Sequence, residues 1–207
     1  MPHQDRTERP TNKGKKFHPE VLSDQEVQAI LRQCNPRYPT GCRNRALITT
    51  LYRSGIRISE ALQLLPKDVI VGAGQLRVFH GKGHTSRVAG MDPGAFVVLQ
   101  AWMDLRKERG IARSAPVFCT LMGKPLTAEY VRQLLPRLAT KAGIEKRVHA
   151  HGLRHTCASQ LAMEGVDIRI ISKQLGHKSI ATTAIYLDHI AAKQVTETIG
   201  GRKWEPT

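Results

Sequence analysis

Between His149 and His189 the chain reads HAHGLRHTCASQLAMEGVDIRIISKQLGHKSIATTAIYLDH, and residues of chemical use recur there at short intervals. His151 and Arg154 stand three apart, so a helix would carry an imidazole and a guanidinium one turn apart on one face. His177 closes Leu175-Gly176-His177, and Tyr186 follows nine residues later. A guanidinium fork matches the oxygens of a phosphate, and a phenol beside that phosphate is a nucleophile. The chemistry these types permit is phosphoryl transfer, which needs a nucleophile, cations to hold the charge of the pentacoordinate state, and an acid for the leaving oxygen. Read as metal ligands, His149, His151, His155 and His177 would want carboxylates behind them, yet few acids lie nearby. Two-metal transfer would need clustered carboxylates, and the 17 Asp and Glu are dispersed. No metal is expected, and His149 and His155 fit packing or a polar network.

The elements that must position these groups are mostly helical. The stretch from His151 to Glu164 reads as a helix stopped at Gly165, and Asp167 to Leu175 as a second one stopped at Gly176, which leaves His177 just past a helix end. Ser179 caps the short segment bearing Tyr186, and Ile190, Ala191, Val195 and Ile199 outline a last amphipathic helix. Upstream, Ser23-Asp24-Gln25-Glu26 has the form of a capping box, so a helix starts near Asp24. A second helix covers Arg43 to Arg53, with Gly55 as its left-handed cap. Ser59 is placed to cap a short third helix through Leu65, ended by Pro66, which leaves Arg57 in the turn between helices.

From Val69 to Met91 short runs of Val, Leu and Phe alternate with glycines around Arg77, Lys82 and Arg87, the pattern of a β-hairpin with a basic tip. Asp92-Pro93 opens a helix with Val98, Ala101, Trp102 and Leu105 on one face, ending before Gly110; Trp102 is expected in the core. Thr127 opens another, with Val131, Leu134, Leu138 and Ala142 inside and Gly143 at its end, and Pro136 is expected to kink or divide it.

Five motifs in order carry a family resemblance. Ser54-Gly55-Ile56-Arg57-Ile58-Ser59-Glu60, Gly81-Lys82-Gly83, His151-Gly152-Leu153-Arg154-His155, Leu175-Gly176-His177, and Thr183 with Tyr186 resemble, in type and approximate spacing, the tyrosine recombinases or phage integrase family. The polar Tyr52-Arg53 before Ser54-Gly55 departs from the usual pattern, but no member of the catalytic set is missing. The resemblance implies a mainly α fold with a small antiparallel β-sheet, the integrase catalytic-domain fold.

It also implies site residues. Tyr186 would attack a DNA phosphodiester to give a 3′-phosphotyrosyl link and a free 5′-hydroxyl. Arg57 and Arg154 would clamp the non-bridging oxygens, Lys82 would protonate the departing 5′-oxygen, and His151 and His177 would assist proton transfer and phosphate contact. Glu60 would buttress the turn and Thr183 pack the tyrosine segment. The implied activity is site-specific recombination, by integration, excision or inversion of a DNA element. The rival readings are a type IB topoisomerase-like enzyme and a non-catalytic DNA-binding regulator.

Composition agrees with a polyanionic partner. The 207 residues, 41% of them hydrophobic, suit one core, and 32 Lys and Arg against 17 acids give a net charge of +15 spread along the chain. No apolar run approaches the roughly 18 residues of a membrane span, and the four cysteines form no C-x-x-C pair and read as buried thiols. With no phosphate loop and no dinucleotide loop, no cofactor is expected.

Expected partners are double-stranded DNA with specific recombination sites, a homotetramer on paired sites with a monomer or weak oligomer when free, and an accessory DNA-bending protein; no membrane is involved. The expected location is cytoplasmic and nucleoid-associated. The expected organisation is a disordered basic arm at 1–17, a catalytic domain at 18–200 standing without a separate core-binding domain, and a flexible tail at 201–207.

Overall fold

The computed structural model describes residues 20–79, 86–177, 179–184 and 200. The basic arm, Lys82, Tyr186, the amphipathic stretch from Ile190 to Ile199 and the tail lie outside the described residues. Within them the chain is mainly helical with one three-stranded antiparallel sheet, as the resemblance implied.

Helix α1 (Asp24–Arg32) begins at the expected capping box: the Glu26 amide donates to Ser23 Oγ at 3.2 Å, and the Ser23 amide donates to Glu26 Oε2 at 2.7 Å. Helix α2 (Pro39–Ser54) starts four residues earlier than the sequence suggests, because Pro39 takes a first-turn position where its missing N–H costs nothing. Gly55 ends it at φ +62°, and a Cβ there would stand 2.8 Å from Leu175. With Ala46, Leu47, Ile48 and Leu51 fully buried, α2 is the central element and packs against α1, α3 (Ile58–Gln63), α4 (Pro93–Glu108) and α6 (Ala150–Met163).

Two expectations about α3 are corrected. Arg57, not Ser59, is its N-cap residue, because the Glu60 carboxylate turns back to accept from the Arg57 amide at 2.7 Å. The helix also ends at Gln63, short of Leu65, and the Leu64 carbonyl accepts from the Val117 amide at 2.7 Å.

The expected hairpin gains a third strand. Strand β1 (Val69–Ile70) joins β2 (Gln75–Phe79), which pairs with β3 (Ser86–Gly90) in the order β1-β2-β3. Register sets Leu76 opposite Ala89 and Val78 opposite Arg87. Because side chains alternate between faces, these four share the inner face, and three of them are buried apolar residues.

Asp92 caps α4 and also pairs with Arg53 of α2 at 2.7 Å. Trp102 is fully buried, as expected, and its indole N–H donates to the Val117 carbonyl at 2.7 Å. Pro136 does not divide α5 (Ala128–Lys141), which is one helix across it, with Val131, Leu134, Leu135 and Leu138 held in the core. All four cysteines are free and buried. No helix among the described residues is long and apolar enough to cross a membrane.

Candidate active site

Helix α7 (Ile168–Leu175) ends in a Schellman turn: Gly176 sits at φ +68°, its N–H reaches the Lys173 carbonyl, and the His177 N–H reaches the Ser172 carbonyl at 3.0 Å. That turn leaves the last carbonyls of α7 to other donors, and three guanidiniums converge on them. Arg154 donates to the Leu175 carbonyl at 2.7 Å and Arg87 donates to the same oxygen at 3.1 Å. Arg57 donates to the Gly176 carbonyl at 3.4 Å. Cations at the negative end of a helix dipole are favourably placed. The turn therefore fixes His177 and gathers positive charge around it.

Each cation arrives from a different element. Arg154 lies on α6, is 2% exposed, and is also tied to the Gly55 carbonyl at 2.6 Å. Arg57 caps α3, and its side chain is 42% exposed, so it is the guanidinium open to solvent. Arg87 comes from β3 and makes a two-pronged pair with Glu60, 3.0 Å on each oxygen. Burial alone would raise the Glu60 carboxyl, but hydrogen bonds from Arg87 and from the Arg57 amide outweigh it and hold Glu60 below the usual carboxylate range. Glu60 thus buttresses the Arg57 turn, as expected.

The histidines divide into two kinds. His149 is the N-cap of α6, its Nδ1 accepting from the Gly152 amide at 2.9 Å, and His155 is buried with its ring edge-on to His151 at 4.5 Å. Both are the packing and polar-network residues anticipated. His151 is exposed on the first turn of α6; desolvation by its neighbours, then the charges of Arg154, His149 and Arg57, lower its pKa. Burial, followed by Arg154, Arg57, Arg87 and His151, pushes the His177 imidazole down to about 4. Its Nδ1 lies 2.8 Å from the hydroxyl of fully buried Thr183, which pins the ring. Among the described residues no group of three His, Cys, Asp or Glu is arranged to hold a metal ion.

Arg57, His151, Arg154 and His177 are brought to one place, whereas Lys82 and Tyr186 lie outside the described residues. The sequence reading placed Arg87 only among the basic residues of the hairpin and passed over Gln174. Gln174 pins β3 to α7, accepting from the Gly90 amide at 2.9 Å and donating to the carbonyls of Gly90 at 2.7 Å and Ser54 at 2.8 Å. One signal was available: Arg87 is in phase with Ala89 on the strand, so a charge was pointed inward and needed a partner.

Guanidiniums and imidazoles gathered at a helix end, in a basic and mostly helical chain, have the chemistry to hold an anion. The phage integrase family model matches residues 20–193, and the chain belongs to the phage integrase family. Among its relatives is tyrosine recombinase XerC of Halalkalibacterium halodurans, 34% identical over 182 residues that cover 85% of this chain and 60% of the relative. Tyrosine recombinase XerD of Staphylococcus saprophyticus is 31% identical over 86% of this chain and 60% of its own. The fold matches XerA recombinase with a TM-score of 0.79 and 28% identity, over 91% of this chain and 68% of that one. It also matches XerH recombinase bound to palindromic difH substrate in a post-cleavage complex, with a TM-score of 0.74 and 27% identity over 89% of this chain and 54% of that one. The chain spans 60% of the length of these two curated relatives.

Proposed function

We propose that this chain is the catalytic domain of a site-specific DNA recombinase that cleaves and rejoins strands through a 3′-phosphotyrosyl intermediate. The observation that carries the reading is the convergence of Arg57, Arg154 and His177 on the carbonyl end of α7, nine residues before Tyr186 in the chain. The XerH structure, bound to difH substrate, supports DNA as the partner.

In the proposed reaction the scissile phosphate sits against Arg57, with the fixed charge of Arg154 behind it. Both positive charges are in place before reaction, so they stabilise the added charge of the pentacoordinate state without reorganising. The Tyr186 phenolic oxygen bonds to phosphorus as the bond to the 5′-oxygen breaks, and Lys82 supplies the proton that the departing oxygen takes. His151 and His177, both held below the ordinary histidine value in the free chain, contact the phosphate and relay the tyrosine proton. The phosphodiester is exchanged for a phosphotyrosyl ester of similar kind, so a 5′-hydroxyl from another strand reverses the step. Strand exchange then requires paired sites and a homotetramer, with the chain a monomer or weak oligomer when free and a DNA-bending protein as an accessory.

The test is covalent capture. The full chain is incubated with a library of nicked duplexes randomised at the centre, denatured, and assayed for protein linked to DNA; sequencing the captured DNA reports the site. The expected result is an adduct at a defined sequence, abolished in Tyr186→Phe with DNA binding retained. No adduct from the parent chain, or an adduct that persists in Tyr186→Phe, overturns the reading. Adduct without sequence preference and without joining of two duplexes points to a topoisomerase-like enzyme.

A further inference from the structure

The bonds around α7 close into a ring. Arg57 is held by Glu60, Glu60 by both prongs of Arg87, Arg87 by the Leu175 carbonyl, and that carbonyl by Arg154; Arg154 returns to the Gly55 carbonyl, two residues before Arg57. Two acceptors are shared: one carboxylate serves arginines from α3 and β3, and one carbonyl serves arginines from β3 and α6. Arg87 is the member present at both junctions. It is also the member contributed by β3, the strand that follows the segment containing Lys82 in sequence.

The fit around Arg87 is close. A Cβ on Gly176 would stand 2.4 Å from Arg87 Nε and 2.8 Å from its Cζ, so the guanidinium lies against the turn that presents His177. We propose that Arg87 is a positioning residue for strand cleavage: it ties β3 to Glu60 and to the end of α7, and so holds the Arg57 and Arg154 guanidiniums in register with His177. The inference rests on the proposed function above.

A plain stabilising ion pair would use the same Arg87 and Glu60 bonds, so the test must separate position from stability. Only a guanidinium spans two carboxylate oxygens and a carbonyl together; a lysine ammonium keeps the charge and loses the fork. Single-turnover adduct formation is measured on the nicked duplex recovered by covalent capture, for the parent, Arg87→Ala and Arg87→Lys, each alone and combined with Arg57→Lys. DNA affinity and thermal midpoint are followed alongside. A displacement near 1 Å is enough to cost about a hundredfold in rate, so both Arg87 variants are expected to slow adduct formation by about tenfold to a hundredfold. DNA affinity should stay within about threefold of the parent. In the Arg57→Lys background the further loss should be small, because residues acting through one another are not additive.

Parent-like rates in both variants, or the same factor lost with and without Arg57→Lys, would overturn the positioning role while leaving the recombinase reading intact. If Arg87→Ala does not fold, Arg87→Lys decides by the same criteria. If the parent itself forms no adduct, the functional reading and this inference fall together. A second readout is independent of activity: in the free chain, NMR titration of His177 should move upward in Arg87→Ala, since one neighbouring positive charge is gone. An unmoved titration would place Arg87 away from the site and overturn the inference.

Discussion

Burial first, and then the charges of Arg154, Arg57, Arg87 and His151, disfavour the protonated form of His177. Its folded pKa of about 4 lies below the ordinary histidine value of about 6.5. Between those values the unfolded chain binds the proton and the folded chain does not, so stability is full above about pH 6.5 and falls as pH drops toward about 4. Thermal melts of the free chain should show that decline, and His177→Asn should make it shallower, the remainder coming from His149 and His151, which are lowered as well. Phosphate reverses the balance, because an anion seated against Arg57 and near His177 favours the imidazolium. Binding of the cognate duplex near pH 6 should therefore take up protons, which calorimetry in buffers of different ionisation enthalpy will register; release, or no exchange, would put the phosphate away from His177. Lys82 is tested by its leaving group. Lys82→Ala should cleave ordinary DNA poorly and recover on a substrate whose 5′-oxygen is replaced by sulfur, which leaves without a proton. Equal impairment on both would make Lys82 a DNA-positioning residue.

At the scale of elements the end of α7 matters most, because one turn serves as helix stop, histidine mount and acceptor for the arginines. Gly176 meets two demands there. Its φ of +68° is a conformation in which a Cβ costs roughly 1–2 kcal/mol, and the added methyl would meet Arg87 atoms fixed by both oxygens of Glu60. Displacing that guanidinium would leave a carboxylate only 6% exposed short of its main partner, and breaking a buried ion pair costs about 3–5 kcal/mol. Gly176→Ala should therefore lower the urea midpoint clearly and depress adduct formation further than the fraction unfolded accounts for. Gly165→Ala is the control: it carries a similar φ of +78°, a Cβ there would meet no atom of the described residues within 4 Å, and it lies at the end of α6 away from the arginines. Its loss of stability should be limited to the backbone strain, with the adduct rate of the folded fraction unchanged.

At the scale of the whole molecule the charge of +15 is spread along the chain. Affinity for duplex DNA should accordingly come mainly from counterion release, with the logarithm of the binding constant falling against the logarithm of salt at a slope of about 0.9 per phosphate neutralised. Fluorescence anisotropy over a salt series measures it. A tight complex that ignores salt would mean that apolar or base contacts, not the diffuse positive field, hold the DNA.

Most of the helices, and the nearness of Arg57, Arg154 and His177, could be read from the chain alone. The spacing from His151 to Arg154 and the Leu175-Gly176-His177 stop depend on local rules, helical period and glycine's access to positive φ, which act within a few residues. Ser23, Asp92 and Thr127 capped the helices they were expected to cap for the same reason. Tertiary packing decided the rest. It kept α5 whole across Pro136, because the apolar residues on either side of the proline are buried together. It moved the cap of α3 to Arg57, because a carboxylate buried under Arg87 could reach back to that amide. Above all it chose Arg87, whose value lies in acceptors 27 and 88 residues away in the chain; no local pattern encodes which carbonyl and which carboxylate will face an inward-pointing arginine once the sheet docks on α7.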